Sequence, residues 1–150
     1  MKIYVASSWR NARQPEVVEA LRAAGFEVYD FRHPAPGDDG FRWSEIDAAW
    51  QGWTQAEYVE ALNHPIARTG FGLDMDALEG CDACILVMPC GRSAHLELGW
   101  AVGAGKYTRI LLDTAQPTEP ELMYRMANGI DRWIGDTIDA LVKERASRAV

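Results

Sequence analysis

The sequence predicts an α/β fold, a parallel sheet with helices on both faces, and three observations point there. Short β-like runs alternate with segments of helical periodicity along the whole chain. The run Ala83-Cys84-Ile85-Leu86-Val87-Met88 is apolar throughout, as a buried strand is. Gly25, Gly80 and Gly105 each stand where a helical pattern stops. The chain has 150 residues, enough for one ordinary domain (1–150) with a real core.

Taken in order, residues 2–6 read as the first strand. Residues 13–24 follow as a helix, with Val17, Val18, Leu21 and Ala24 at helical spacing. Residues 26–30 are the second strand. The period is then lost through "FRHPAPGDDGFRW", a long loop of the kind that serves as a lid or binding segment. Helical character resumes over 44–62, where Trp43, Trp50 and Trp53 lie close together, and His64-Pro65 breaks it. A helix over 66–79, a strand over 82–88 and a helix over 93–104 come next. Residues 109–113 form a fourth parallel strand, Pro117 and Pro120 bracket a turn into a short helical piece, and 131–147 make a polar-faced final helix. The expected architecture is flavodoxin- or Rossmann-like.

In such sheets ligands bind outside the carboxyl ends of the strands, near a switch in strand order. Three segments qualify: Ser7-Ser8-Trp9-Arg10, the loop after the second strand, and Cys90-Gly91-Arg92-Ser93. The formal net charge of −7 argues against a nucleic-acid polymer or an anionic membrane as partner. Nothing resembles a secretory signal and no apolar stretch approaches a membrane span, so the cytoplasm is the expected location. Cys81, Cys84 and Cys90 read as buried structural thiols, since Cys81-x-x-Cys84 has no second pair. His33, His64 and His95 show no metal-ligand spacing, and neither a Walker lysine, a dinucleotide fingerprint nor a Gly-x-Ser-x-Gly elbow is present. No metal and no cofactor is expected.

Glu97 lies between Leu96 and Leu98, near Ser93, His95 and Trp100, with Gly99 able to admit another backbone. Two readings stand: a solvent-facing acid favoured by the helix start, or a partly desolvated carboxylate in a strand-end cleft, suited to nucleophilic or acid–base work. Glycosidic chemistry commonly needs a second acid. Asp74 offers one if its helix runs beside the cleft, and is otherwise a solvated helix residue. Tyr4 is either core or a hydroxyl reaching the same cleft. Ser7, Ser8, Trp9 and Arg10 suit a phosphate or carboxylate, or else an ordinary cap with Asn11.

"IYVASSW", Asp74 leading into "CDACILVMP", and "HLELGWAVGAGK" together resemble the nucleoside 2-deoxyribosyltransferase family, whose superfamily includes the deoxynucleoside 5′-monophosphate N-glycosidases and CMP hydrolases. The resemblance covers the start of the chain and most of 70–125, and is sparse over 31–65. It implies cleavage or transfer of the N-glycosidic bond of a nucleoside or nucleoside 5′-monophosphate. Glu97 matches the nucleophile, Tyr4 the tyrosine that orients it, and Asp74 the acid that handles the base. Ser8-x-Arg10 matches a 5′-phosphate contact. Gly91, with Arg92 and Ser93 beside it, stands where transferases carry an aspartate and monophosphate hydrolases a serine. Glu121 is nearest to a sugar-holding asparagine at a subunit-shared edge, and a homodimer or larger homo-oligomer is implied. A nucleotide-binding module without turnover is the alternative of another class.

Overall fold

The computed structural model describes residues 1–115 and 119–150. Five parallel strands form one sheet: β1 (Lys2–Ala6), β2 (Glu27–Tyr29), β3 (Ala83–Val87), β4 (Tyr107–Leu111) and β5 (Gly129–Asp131), in the order β2-β1-β3-β4-β5. The α-helices are α1 (Gln14–Ala23), α2 (Gln55–Ala61), α3 (Pro65–Gly80), α4 (Arg92–Gly103) and α5 (Ile134–Arg148). The flavodoxin-like expectation holds. None of these helices is long and apolar enough to cross a membrane.

Alternation along the central strands builds two cores. Ile3, Val5, Ile85 and Val87 point to one face, where Val18 and Leu21 of α1 and Leu141 of α5 cover them. Tyr4, Ala6, Cys84 and Leu86 point to the other, beneath Leu78 of α3 and Ala94, Leu98 and Ala101 of α4. Both faces of β1 and β3 are therefore dry, which is why these strands read as continuous apolar runs. The chain leaves β1 for β2 on one side and returns to β3 on the other. The loops after β1 and β3 diverge at that reversal and open a crevice.

Two expectations need correction. Residues 44–62 are not one helix but two 3₁₀ turns, Trp43–Glu45 and Trp50–Gly52, followed by α2. The Asp47 carboxylate accepts the Ala49 N–H at 2.8 Å and the Trp53 indole N–H at 2.6 Å, offering the backbone an alternative to the helix. Thr54 and Glu57 then form a capping box that restarts the helix at Gln55. The sheet also has a fifth strand that the apolar pattern does not announce. Gly129–Asp131 is three residues long, pairs with Arg109–Leu111, and ends on the Asp131 carboxylate bound to the Arg109 guanidinium. A Cβ at Gly129 would collide with that guanidinium. Leu122–Met126 is the short helical piece, a 3₁₀ turn, while Pro117 lies outside the described residues.

The long loop after β2 folds back over the crevice. Gly40, at φ 79°, lies so close that a Cβ there would sit 2.5 Å from the Phe31 carbonyl oxygen and 2.8 Å from the Trp9 ring. Gly40→Ala is expected to lower unfolding free energy by about 2 to 3 kcal/mol, through strain and overpacking. Urea titration should show a lower midpoint with an unchanged slope.

Candidate active site

The inward face of α4 carries the acid that the sequence left ambiguous. Ala94, Leu98 and Ala101 are buried at i, i+4 and i+7 of one stripe, and Glu97 occupies the i+3 position of that stripe. Helix α4 starts at Arg92, so Glu97 lies past the first turn, where the macrodipole gives little help. The solvent-facing reading fails: the side chain is largely buried. Burial, and then the nearby Asp74 charge, push its carboxyl up to about 8, against the Tyr4 hydroxyl, which pulls it down. Its neighbours Leu96 and Trp100 point outward instead, and a Cβ at Gly99 would meet no described atom within 4 Å.

Tyr4 is fully buried between the sheet and the α3–α4 layer. Its hydroxyl favours the Glu97 anion electrostatically, yet meets full hydrogen-bond geometry with no described group. Burial, followed by the Glu97 and Asp74 charges, keeps it protonated far above the ordinary phenol range. Its ring stacks on Tyr29, with centroids 5.3 Å apart and planes 19° from parallel. The parallel register pairs Tyr4 with Tyr29 directly, so β1 and β2 present two phenols side by side.

Tyr29 is the residue that sequence reasoning missed. Its hydroxyl donates to Asp74 Oδ1 at 2.8 Å, tying β2 to α3. Asp74 lies on the sheet-facing side of α3, one turn before buried Leu78, and burial raises its carboxyl above the ordinary value while the Tyr29 bond opposes. The two acids therefore face two phenols in one desolvated place, and each disfavours the other's charge. The only sequence sign of Tyr29 was a tyrosine at the same place in the second strand as Tyr4 in the first.

The loop after β1 frames this centre rather than reaching into it. Ser7 Oγ donates to the Val87 carbonyl at 2.8 Å and accepts from Asn11 Nδ2 at 3.1 Å, which pins the loop to β3. Ser8 Oγ accepts the Arg10 N–H at 3.2 Å, and Arg10 is exposed. The Arg32 guanidinium donates through Nη2 to the carbonyls of Ser8, Trp9 and Asn11, clamping the loop from the far side of the crevice. Trp9 walls a cavity of about 300 Å³ that extends from Asp74 between Phe31, Phe41 and α3. Two guanidinium groups, Arg32 and Arg42, already lie over its ring, at 5.4 and 4.8 Å from the centroid.

Gly91, Arg92 and Ser93 are exposed at the start of α4, and Gly91 caps it without a side-chain bond. Glu121 stands apart, lining a separate groove of about 360 Å³ with His95, Leu98 and Tyr124. His95 Nδ1 bonds the Gly91 carbonyl at 2.8 Å, so it carries the hydrogen, and Nε2 accepts the Tyr124 hydroxyl at 2.7 Å. Cys90, 3.7 Å from that Nδ1, thus meets no base, and burial pushes its thiol up to about 12. Cys81 and Cys84 are buried free thiols, as the sequence suggested.

No protein-family profile and no curated protein matches the chain. Solved structures do. The chain is similar to a 2-deoxyribosyltransferase from Bacillus psychrosaccharolyticus at 19% identity and TM-score 0.61, over 92% of this chain and 90% of that one. It is similar to a CMP N-glycosidase from Clostridium botulinum at 19% identity and TM-score 0.50, over 94% of this chain and 98% of that one. A conserved protein from Enterococcus faecalis V583 aligns at 11% identity and TM-score 0.63, over 96% and 98%. At these identities the likeness shows a common fold, spanning nearly the full length of each chain.

Proposed function

We propose that this protein is a member of the nucleoside 2-deoxyribosyltransferase-like superfamily that cleaves or transfers the N-glycosidic bond of a nucleoside or nucleoside 5′-monophosphate. The observation that carries the reading is the pairing of Glu97 with Asp74, both desolvated, across the Tyr4–Tyr29 stack at the crevice. The shared fold with a 2-deoxyribosyltransferase and a CMP N-glycosidase supports it.

In the reactive protonation state Asp74 holds the proton and Glu97 is the anion. Glu97 attacks the anomeric carbon of the sugar. The glycosidic C–N pair leaves with the base as Asp74 delivers its proton to a base nitrogen. Asp74, now a carboxylate, takes the proton of an incoming water or second base as that nucleophile bonds to the anomeric carbon and the Glu97 ester C–O bond breaks, with net retention. Tyr4 positions the carboxylate and supplies hydrogen-bond character to it, and Tyr29 does the same for Asp74. Ser8, Arg10, Arg92 and Ser93 hold the sugar or phosphate end at the rim. Glu121 lines a separate groove with His95 and Leu98, and contributes to a sugar site where a second copy of the chain closes that groove.

Incubation with nucleosides and their 5′-monophosphates, with chromatography for free base, tests the reading. Base release should occur with at least one substrate, and binding without release from every substrate would leave a sensing module instead. A second free base added to the mixture separates transfer, which yields a new nucleoside, from hydrolysis. Comparing each nucleoside with its monophosphate reads the role of Ser8 and Arg10.

Tyr4→Phe separates positioning from packing. The hydroxyl is buried without a full partner, so its loss should change stability by less than about 1 kcal/mol. Without it Glu97 titrates still higher, moving the alkaline fall of the pH–rate profile to higher pH. The rate should fall about 10- to 100-fold, the equivalent of one hydrogen bond to a charged group.

A further inference from the structure

The loop after β1 is held from two sides. On the β3 side, Ser7 Oγ donates to the Val87 carbonyl at 2.8 Å and Asn11 Nδ2 to the same oxygen at 3.2 Å. On the β2 side one guanidinium does the holding. Arg32 Nη2 lies 3.2, 3.0 and 2.8 Å from the carbonyl oxygens of Ser8, Trp9 and Asn11, so its N–H groups are shared among three acceptors. Arg32 is itself fixed in place. Its backbone N–H donates to Asp30 Oδ1 at 3.0 Å, and that buried carboxylate also accepts Gln14 Nε2, from the first turn of α1, at 2.7 Å. Its Cζ stands 5.4 Å from the Trp9 ring centroid and 5.9 Å from that of Phe31. Among the described residues no carboxylate forms an ion pair with Arg32, and its Nε is buried without a partner. A half-buried cation is therefore given over to the backbone oxygens of one short segment.

We propose that Arg32 is a positioning residue for substrate binding, which holds Ser8–Asn11 in the shape that receives the sugar or phosphate end without touching the substrate itself. The inference rests on the N-glycosidic reading above, in which this loop forms the rim of the site. The peptide bonds of the loop are trans, so the N–H groups of Trp9, Arg10 and Ala12 point opposite to the three clamped carbonyls. Strands β2 and β3 flank β1 on opposite sides. Drawing the carbonyls towards Arg32 therefore turns those N–H groups away from β2, to the side on which β3 and the crevice lie. The same guanidinium lies over the Trp9 ring, which walls the cavity reaching Asp74. Without Arg32 the loop keeps its ties to the Val87 carbonyl alone, and the substrate must order Ser8–Asn11 as it binds. Affinity then falls by the fraction of molecules whose loop already has the receiving shape. Glu97 and Asp74 stand on α4 and α3, so the chemical step is spared.

Arg32→Met removes the donors and keeps an unbranched stem, whereas Arg32→Lys returns an ammonium with three N–H donors. With the nucleoside or monophosphate that releases base fastest, Arg32→Met should raise KM about 10-fold and leave kcat within about 3-fold. Arg32→Lys should recover part of that loss, and the alkaline fall of the pH–rate profile should stay in place in both. Hydrogen exchange should quicken in peptides spanning residues 7–13 of Arg32→Met and stay unchanged in those spanning β4. An unmoved KM, a loss confined to kcat, or a Lys variant no better than Met overturns the proposal. Should Arg32→Met not fold, Arg32→Gln is read in its place, and failure of both to fold makes Arg32 structural and overturns the proposal as well. Should no substrate release base, the catalytic reading fails on its own, and Arg32 is read by calorimetric titration with the common nucleoside 5′-monophosphates. A dissociation constant about 10-fold higher in Arg32→Met then supports the positioning role. Equal affinity, or no binding by the parent, overturns it.

Discussion

Glu97→Gln should lower base release by about 10⁴-fold or more, while raising the stability of the folded chain at neutral and alkaline pH. Glutamine keeps the shape of the side chain and its place on the buried stripe of α4, but cannot attack a sugar carbon. The parent should accumulate a glycosyl ester on Glu97, visible by mass spectrometry after acid quench, and the variant should not. A variant that retains base release would remove Glu97 from the mechanism.

The stability gain follows from the same burial. In the unfolded chain this carboxyl ionises near 4.5, and in the folded chain near 8. Between those values the folded protein holds a proton that the unfolded chain releases. The stabilising contribution of the protonated acid is complete below about 4.5, is lost as pH rises, and is gone above about 8. Glutamine has no proton to lose. The difference in unfolding free energy between variant and parent should therefore open with pH, reaching on the order of 4 to 5 kcal/mol by pH 8 and vanishing near pH 4.5. Denaturant titrations at several pH values measure it. Catalysis needs the anion of Glu97 together with the proton of Asp74, so kcat/KM of the parent should be bell-shaped and fall as pH rises through about 8, where the last proton of the pair is lost. On the N-glycosidic proposal, the protein gives up stability to hold an acid where it attacks.

Asp74→Asn should lower kcat/KM by about 10²- to 10⁴-fold, the range for a lost general acid. The size of the loss depends on the leaving group. A base that departs readily without protonation should lose much less than an ordinary one, since the variant lacks a proton donor and not the nucleophile. Equal losses for both would mean that Asp74 only shapes the pocket. In this variant Glu97 titrates without the Asp74 charge that raises it, so the bell should give way to a single rise with pH, centred below about 8.

The sequence by itself determined the sheet's central strands and the helices that cover them. The runs at β1 and β3 and the spacing in α1 state their burial outright, because alternation and helical period are local properties of the chain. Family resemblance on the same residues named Glu97, Tyr4 and Asp74. Local pattern misread residues 44–62, where the Asp47 side chain outcompeted the helix, and overlooked β5, too short to show a period.

What only the tertiary structure decided is which way the acids face and what surrounds them. Glu97 is inward because Ala94, Leu98 and Ala101 commit α4 to the sheet, and its proton affinity is set by Asp74 on another helix. Tyr29 joins the site through the register of β1 with β2, and the loop after β2 folds back towards α3 to wall the cavity that reaches Asp74. Burial and electrostatic coupling depend on distances between segments far apart along the chain, so no spacing within one segment could have shown them.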